Sequence, residues 1–585
     1  MSSIFVVYKE KKISRHIRKR LEDILDLGEI NGVDDMNYDY NKIKSYKQFK
    51  DIQVLYPRSD SHKIGFFNDD RFLIGICGII HNEHKLLKER KSLNIFKCII
   101  DILQKKEVTL ADFFSKATGQ FTIFIYDSKK DAIYLINDKL GFFPAYYLEN
   151  DKRFIYSSRA EAIAFFTSNN SKINHDAVAD YLSLGFVQNG ETFLQGINNL
   201  LPASVFKRKG SGKRELKKYY EFEYDDSSYS RDEYLPLINN ALSKSVLDLY
   251  NLPKSGYKRV CLTGGFDTRL MNSILLKNGE KQTVTFTRHS LESESEINKF
   301  GMVTDEKIGR EFAKKFNLQY HLREDKGGPR AAPVNNFEIH GLFGGELFGG
   351  EAYNQPATLF RVKIPSIGKT HFLTSRFKNL LSRDPIETYY KNISKIDSNE
   401  WEKKVFIYKG MTVLTTFFNG LERFGNIAWQ YPHLFFKDDS FIGVKTSLFP
   451  YLDVNFLKLM FKIPFYELDH RVFYNKLLEK YYSKYIEVDI LHGKKRLYRY
   501  SQEKKELYIY KKIEEEIGKG KIKEIISEEI RKKNATRDFI DYLGNPIDME
   551  NFDKGFFFYR GVEMSEKDML YHRIEKIQKW FKDFM

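Results

Sequence analysis

The sequence predicts an α/β protein of two domains: an antiparallel, β-rich N-terminal half, then a parallel α/β half with a helical extension. Three observations carry this. The chain has 585 residues, more than one hydrophobic core usually holds. Up to about residue 220 it reads as short β-branched and aromatic runs separated by Asn-Asp, Asp-Ser-Lys-Lys and Glu-Asn-Asp-Lys turns, the pattern of antiparallel sheets. Beyond residue 255 strand patterns alternate with helical ones, the order of a parallel sheet with crossover helices.

Composition narrows the function classes. The apolar fraction of 42% is ordinary for a globular protein. A net charge of +16 is compatible with nucleic acid, membranes or acidic small molecules as partners. The cations are interleaved with Asp and Glu along the chain, so a solvated surface accounts for them and nucleic acid is not the expected partner. A basic cleft would also suit ATP and a carboxylate. Cys77, Cys98 and Cys261 lie in apolar contexts without metal-ligand spacing, which argues for a reducing compartment and against disulfides or zinc. The longest apolar run, Phe72 to Ile80, is too short to span a bilayer, and the start Met1-Ser2-Ser3-Ile4 shows no secretory signal. A soluble, cytoplasmic protein with no membrane span is expected; its oligomeric state stays open.

In the first half, Leu73 to Ile80, Phe121 to Tyr126, Ala132 to Ile136, Ala145 to Leu148 and Phe154 to Tyr156 read as strands. Lys207 to Lys218 reads as a hairpin or loop, and Asp225-Asp226-Ser227-Ser228 marks the passage to the second domain near residue 230. The second half turns on Val260-Cys261-Leu262-Thr263-Gly264-Gly265-Phe266-Asp267-Thr268-Arg269-Leu270. A short apolar strand breaks at two glycines and restarts as a helix, with Leu270, Met271, Ile274 and Leu275 on one face and a stop near Gly279. Such a turn aims backbone N–H groups and a helix dipole at an anion. Thr263 and Thr268 add hydroxyls and Arg269 adds a cationic fork. Asp267 repels phosphate unless a cation lies between them, so the set reads as nucleotide plus Mg²⁺.

Thr283 to Thr287 then alternates like a buried strand, Asp305 stands at a helix N-cap ahead of Ile308, Phe312 and Phe316, and Gln319 to Leu322 forms another strand. Ligands of such sheets gather at the strands' carboxyl ends, so Thr287 joins Thr263, Gly264, Gly265, Asp267, Thr268 and Arg269 as candidate nucleotide-binding residues. Residues 500–585 read as charged and helix-rich, with an amphipathic helix pair over Lys504 to Lys533 and no assigned chemistry.

No G-x-x-x-x-G-K-[ST] and no G-x-G-x-x-G occurs. The loop instead resembles the S-G-G-x-D-S loop of the ATP-pyrophosphatase (PP-loop) ligases, which grip the pyrophosphate end of ATP and transfer AMP. Taken alone, the turn of any α/β domain fits six residues equally well. The first half adds a longer signal. Gly119-Gln120-Phe121 through Asp127, then Asp138-Lys139-Leu140-Gly141-Phe142-Phe143-Pro144-Ala145-Tyr146-Tyr147, then Ser157-Ser158-Arg159-Ala160-Glu161-Ala162 is similar in order and spacing to the amidotransferase half of the asparagine synthetase family. Asn174 to Pro202 continues the likeness. The resemblance implies an Ntn-hydrolase-like αββα sandwich at 1–222. It also implies a synthetase domain at 230–585, with a Rossmann-like PP-loop core at about 255–350 and a helical part at 351–585.

Three further segments resemble that family. Gly341-Leu342-Phe343-Gly344-Gly345-Glu346-Leu347-Phe348-Gly349-Gly350-Glu351 is similar to its G-E-G-x-D-E-L-F-G-G. Gly345 replaces the family's Asp, so Glu346, with Glu351 behind it, becomes the candidate second magnesium ligand beside Asp267. Pro450-Tyr451-Leu452-Asp453 matches a P-F-L-D turn. The helix Phe473 to Tyr482 stands where the family writes K-x-x-L-R, making Lys476 the nearest match to its adenylate-facing lysine, with Lys480 competing. The departures concern glutamine. The family's nucleophilic cysteine at position two is Ser2 here, and its N-G-E-I-Y-N motif reads Cys77-Gly78-Ile79-Ile80-His81-Asn82. An N-terminal Ser can act as nucleophile in other hydrolases, but a hydroxyl is far weaker than a thiol.

The resemblance therefore implies an ATP-dependent carbon–nitrogen ligase with an inactive glutaminase-like domain, as in β-lactam synthetases and lasso-peptide cyclases. Such an enzyme adenylates a small-molecule or peptide carboxylate and passes the acyl group to an amine, in natural-product or surface-polysaccharide pathways. Asp267, Glu346 and Lys476 are the candidate catalytic residues, with ATP and Mg²⁺ as cofactors. Two alternatives stay open: a non-catalytic scaffold binding nucleotide or a protein partner, and an ammonia-dependent asparagine-synthetase-type amidation.

Overall fold

The computed structural model describes residues 4–8, 12–26, 44–57, 65–105, 108–141, 143, 145–151, 153–167, 172–184, 187, 189–210, 212–222, 231–252, 258–289, 302–325, 337–341, 344–348, 382–383, 447–463, 472–486, 556–559 and 562–565. Ser2, Ser3, Glu351 and the segment Lys504 to Lys533 lie outside them.

In chain order the N-terminal half contains β1 (Phe5–Tyr8), α1 (Arg15–Asp26), β2 (Lys44–Phe49), β3 (Ile52–Pro57), β4 (Gly65–Asn68), β5 (Phe72–Ile80), α2 (Glu83–Arg90), α3 (Ile95–Lys105) and α4 (Leu110–Phe114). It continues with β6 (Gly119–Asp127), β7 (Ala132–Asn137), β8 (Tyr146–Glu149), β9 (Phe154–Ser157), α5 (Ala160–Thr167), α6 (His175–Leu184), β10 (Ile197–Asn199), β11 (Ser204–Lys209) and β12 (Lys213–Lys218). The strands form two six-stranded sheets, ordered β10-β8-β9-β1-β3-β2 and β12-β11-β7-β6-β5-β4, with antiparallel pairing throughout.

Alternation along the strands explains the layers. Ile4, Val6 and Tyr8 face Leu73, Cys77, Phe124, Tyr126 and Leu135 in one buried cluster between the sheets. Phe5, on the opposite face of β1, meets Phe166 of α5 with ring centroids 5.3 Å apart. On the far face of the second sheet, Ile74, Ile123 and Ile125 pack against Ile95, Ile99 and Phe114 of α3 and α4. The result is an αββα sandwich. The strands read from sequence are each present within one or two residues, and the basic stretch after Lys207 is the β11–β12 hairpin.

The second half contains α7 (Arg231–Asn251), β13 (Lys258–Cys261), α8 (Phe266–Lys277), β14 (Thr283–His289), α9 (Met302–Lys315), β15 (Gln319–Asp325), β16 (Phe337–Ile339), α10 (Gly344–Leu347), β17 (Ser447–Leu448), a helical turn Pro450–Leu452, α11 (Val454–Met460), α12 (Val472–Ile486) and a hairpin of β18 (Phe556–Tyr559) and β19 (Val562–Ser565). Strands β15-β14-β13-β16-β17 form one sheet in that order, and every neighbouring pair is parallel. Helices cover both faces: Ile308, Phe312 and Ala313 of α9 pack with Leu262 and Val284 on one side. On the other, Val260 joins residues of α7, α8, α11 and α12 in a larger cluster.

The order reverses direction at β13–β16, so the loops after these two strands flank the crevice where open parallel sheets place ligands. Two readings need correction. Helix α9 starts at Met302 and takes Asp305 inside it, where no N-cap is needed. The fifth strand, β17, lies far beyond residue 350, so the 351–585 segment is not wholly helical; two residues of strand carry too little alternation to be seen in sequence. Among the described residues, no helix is long and apolar enough to cross a membrane.

Candidate active site

The turn after β13 is held by its own two threonines. Thr263 N–H donates to Thr268 Oγ1 (3.0 Å), the two hydroxyl oxygens lie 3.0 Å apart, and Gly265 N–H donates to Thr263 Oγ1 (3.1 Å). Asn272 of α8 donates its Nδ2 to Cys261 O (3.1 Å) and Thr268 O (2.8 Å), fastening the helix to the strand. Gly265 takes the N-cap position with extended backbone (φ −66°, ψ 151°) and contributes no side-chain cap. The first N–H groups of α8 therefore have no intrahelical acceptor and face the turn. Asp267 sits in this first turn, half-buried.

Three segments distant in sequence converge on Asp267. Tyr451 Oη donates to its carbonyl oxygen (2.8 Å) and Tyr474 Oη to its Oδ1 (3.1 Å). Both tyrosines are fully buried, and burial first, then the Asp267 charge, pushes the Tyr451 hydroxyl well above its ordinary value, so it stays a donor. Phe348 stacks on Tyr474 (centroids 4.3 Å, interplanar 10°). The second glycine segment approaches closest. A Cβ on Gly344 would lie 2.8 Å from both Cβ and Cγ of Asp267 and 3.0 Å from its Oδ1, and one on Gly341 would lie 2.9 Å from Thr268 Cγ2. A side chain at either place would force the neighbouring residue to shift.

The structure thus brings together Thr263, Gly264, Gly265, Asp267 and Thr268, with α10, which carries Glu346, directly beside them. Thr287 lies on β14, the strand next to β13. Arg269 departs from expectation: it is fully buried, with its guanidinium 4.7 Å from the Phe266 ring centroid and Nε bonded to Gly265 O (3.4 Å). In this conformation it braces the turn from behind and is not offered to a ligand. Lys476 is half-buried on α12, but two positions along a helix is a rotation of about 200° from Tyr474. The group α12 presents to Asp267 is the phenol of Tyr474.

Sequence reading missed Tyr451, Tyr474 and Phe348. Tyr451 lay inside the Pro450–Asp453 turn, and the helical spacing of Phe473, Tyr474, Leu477, Leu478 and Tyr482, all buried, would have turned Tyr474 inward. Among the described residues, no three His, Cys, Asp or Glu side chains converge as a metal cluster; magnesium needs only one or two carboxylates with phosphate and water.

In the N-terminal half, Ile4 enters β1 between two serines: Ile4 N–H donates to Ser158 Oγ (3.0 Å) and Ser157 Oγ donates to Ile4 O (2.7 Å). Cys77 is 1% exposed between the sheets, and burial pushes its thiol up to about 12, so it is no thiolate. Gly78 has φ +97°, and a Cβ there would strike Gln120 O at 2.1 Å. Asn82 donates to Lys116 O (2.9 Å) and accepts from Thr118 N–H (2.9 Å). The two thus have structural reasons to stand in this segment. His81 beside them is pushed down to about 4 by burial.

Residues 31–220 match the family model described as a glutamine amidotransferase domain. A Methanocaldococcus jannaschii protein described as glutamine-hydrolysing asparagine synthetase 2 is 35% identical over 123 residues, 20% of this chain and 22% of the relative. Asparagine synthetase (glutamine-hydrolysing) 1 of Bacillus subtilis is 23% identical over 218 residues, 36% of this chain and 33% of the relative. The chain thus spans between a fifth and a third of the length of these curated relatives. The solved glutamine phosphoribosylpyrophosphate amidotransferase of B. subtilis aligns with a TM-score of 0.25 at 8% identity, covering 58% of this chain and 81% of that one; at that score the likeness carries no weight. Residues 31–220 thus carry the match to a glutamine amidotransferase domain, in a chain with distant similarity to asparagine synthetases.

Proposed function

We propose that the second half is a PP-loop-type synthetase domain that cleaves ATP to AMP and pyrophosphate, activating a carboxylate for attack by an amine, and that the chain has no glutaminase activity of its own. The observation that carries this is the contact between Gly344 and the Asp267 carboxylate. It sets the second glycine segment against the turn after β13, in the crevice where a parallel sheet binds its ligand. The turn's N–H groups and the start of α8 would hold the phosphates. Asp267, and Glu346 from α10, would hold Mg²⁺; a carboxylate in the first turn of α8, beside N–H groups suited to phosphate, fits an ion that needs only one or two carboxylates with phosphate and water. When bound, the ion supplies neutralisation of the charge on the leaving pyrophosphate. The chain's own part is positioning: Tyr474 fixes one carboxylate oxygen of Asp267, and Tyr451 fixes the backbone beneath.

The scaffold alternative is favoured by one observation, the burial of Arg269, which removes a cation from the nucleotide's reach. Pyrophosphate exchange into ATP against a panel of carboxylates separates the two readings. Exchange with at least one acid, with AMP as the product, supports the ligase; ATP binding without exchange by any acid supports the scaffold. Glutamate release from glutamine by the full chain would refute the claim of an inactive glutaminase.

A further inference from the structure

We propose that the junction between the two halves binds a small, doubly charged phosphate-like oxyanion, held between Lys139 and Lys458 beside the ring of Tyr220. Lys139 belongs to a turn fixed by Asp138, whose buried carboxylate accepts the N–H groups of Phe121 (3.2 Å), Leu140 (2.9 Å) and Phe143 (3.0 Å). That turn drives Leu140 into the core of the second half, beside Tyr234 and Phe456. Lys139 is carried to the same boundary, 6% exposed, with its Nζ 4.6 Å from the Tyr220 ring centroid. From the other half, Lys458 on α11 brings its Nζ to 5.2 Å from the same centroid.

Two ammonium groups thus share one ring. No carboxylate or hydrogen-bond acceptor reaches the Lys139 ammonium among the described residues. A ring satisfies a cation far less well than a phosphate or carboxylate does, and a nearly buried ammonium without an anion is costly. Asp453, whose charge acts on Lys139, is committed elsewhere: its Oδ1 accepts Asn455 N–H (2.9 Å) and Phe456 N–H (3.0 Å) and caps α11. Burial, and next the charge of Lys458, push Lys139 down to about 8 against the pull of Asp453. The two cations call for two negative charges, and the 6% exposure of Lys139 calls for a compact ligand. The site uses no residue of the turn after β13 and stands independently of the ligase reading.

The test is lysine footprinting of the full chain. Inorganic phosphate, or succinate as its carboxylate counterpart, is titrated against chloride at matched ionic strength while lysines are acetylated and read by peptide mass spectrometry. Phosphate is expected to slow labelling of Lys139 and Lys458 at least fivefold with one shared midpoint, leaving other lysines unchanged. Lys458→Met, at an exposed position that leaves the fold intact, is expected to raise the midpoint for Lys139 at least tenfold. Protection no greater than in chloride, or an unchanged midpoint in Lys458→Met, overturns the site. Protection by succinate as strong as by phosphate overturns the assignment to a phosphate-like ligand.

Discussion

Replacing Gly344 by Ala tests the proposed site where its geometry is tightest. The added Cβ would stand 2.8 Å from Cβ and Cγ of Asp267 and 3.0 Å from Oδ1, whereas carbon contacts settle at about 3.5–4.0 Å. The two residues must therefore separate by roughly 0.5–1 Å. Asp267 has little freedom to absorb this, since Tyr474 holds Oδ1 and Tyr451 holds its carbonyl. The strain costs about 1–3 kcal/mol as modest overpacking, enough to lower the melting temperature and not enough to unfold the domain. The effect on chemistry should be larger, because a 1 Å misplacement of a reacting group costs about 10²-fold. With the carboxylate found in the exchange screen, pyrophosphate exchange is expected to fall about a hundredfold and the magnesium midpoint to rise. Gly212→Ala is the control, since a Cβ there meets nothing within 4 Å. Parental exchange with an unchanged magnesium midpoint in Gly344→Ala would mean that Asp267 is only packed against the second glycine segment.

Three further outcomes follow. Tyr474→Phe keeps the stack on Phe348 but loses a hydrogen bond to a carboxylate, worth about 1.5–3 kcal/mol; the melting temperature should fall by several degrees and exchange should drop roughly 10- to 100-fold, and an unchanged rate would remove Tyr474 from the positioning network. Asp267→Asn and Glu346→Gln should each cost about 3–4 kcal/mol in transition-state stabilisation, and their double variant little more than either, because the two act as one unit; strict additivity in exchange assays would separate them. For Lys139, the folded value of about 8 lies below the ordinary 10.5, so between them the unfolded chain holds the extra proton and stability rises with pH. Urea unfolding of the parent minus Lys139→Met at pH 8 and pH 10 should differ by about 2–3 kcal/mol in that direction, phosphate should reduce the difference, and a pH-independent difference would show that Lys139 is not charged at a cost.

Long, strongly patterned elements were legible in the sequence. Strands β5, β6 and β7 alternate or run apolar over many residues, and α8 carries an apolar face ended by Gly279, whose φ is +80°. The candidate site was legible only as far as its glycines and charges. That Gly341 and Gly344 press on Thr268 and Asp267 follows from the parallel pairing of β16 with β13, a contact across about eighty residues that no local pattern reports. Tyr451 and Tyr474 were hidden for another reason: in a chain with 15% aromatic residues, a buried tyrosine looks like core filling until its hydroxyl has a partner. Arg269 shows the converse error. A guanidinium beside a phosphate-type turn reads as a ligand, yet α8 is buried all round from Thr268 to Leu275 and takes Arg269 in with it.

Cys77 and Cys98 are buried in the N-terminal half, with burial pushing both thiols upward, and Cys261 belongs to the other half. The sandwich also supplies surface to the second half. Leu140 is 5% exposed because it sits among Tyr234, Ile238 and Leu457 of the second half, and Ile79 packs on the same cluster. Arg383 donates from Nη1 and Nη2 to Asp180 of α6 (3.2 and 2.8 Å) and from Nη2 to Glu191 (2.9 Å), and Asp180 has no exposed side-chain surface. Separating the halves would expose Leu140 and break the Arg383 ion pairs with Asp180 and Glu191, the first a penalty of kilocalories rather than tenths.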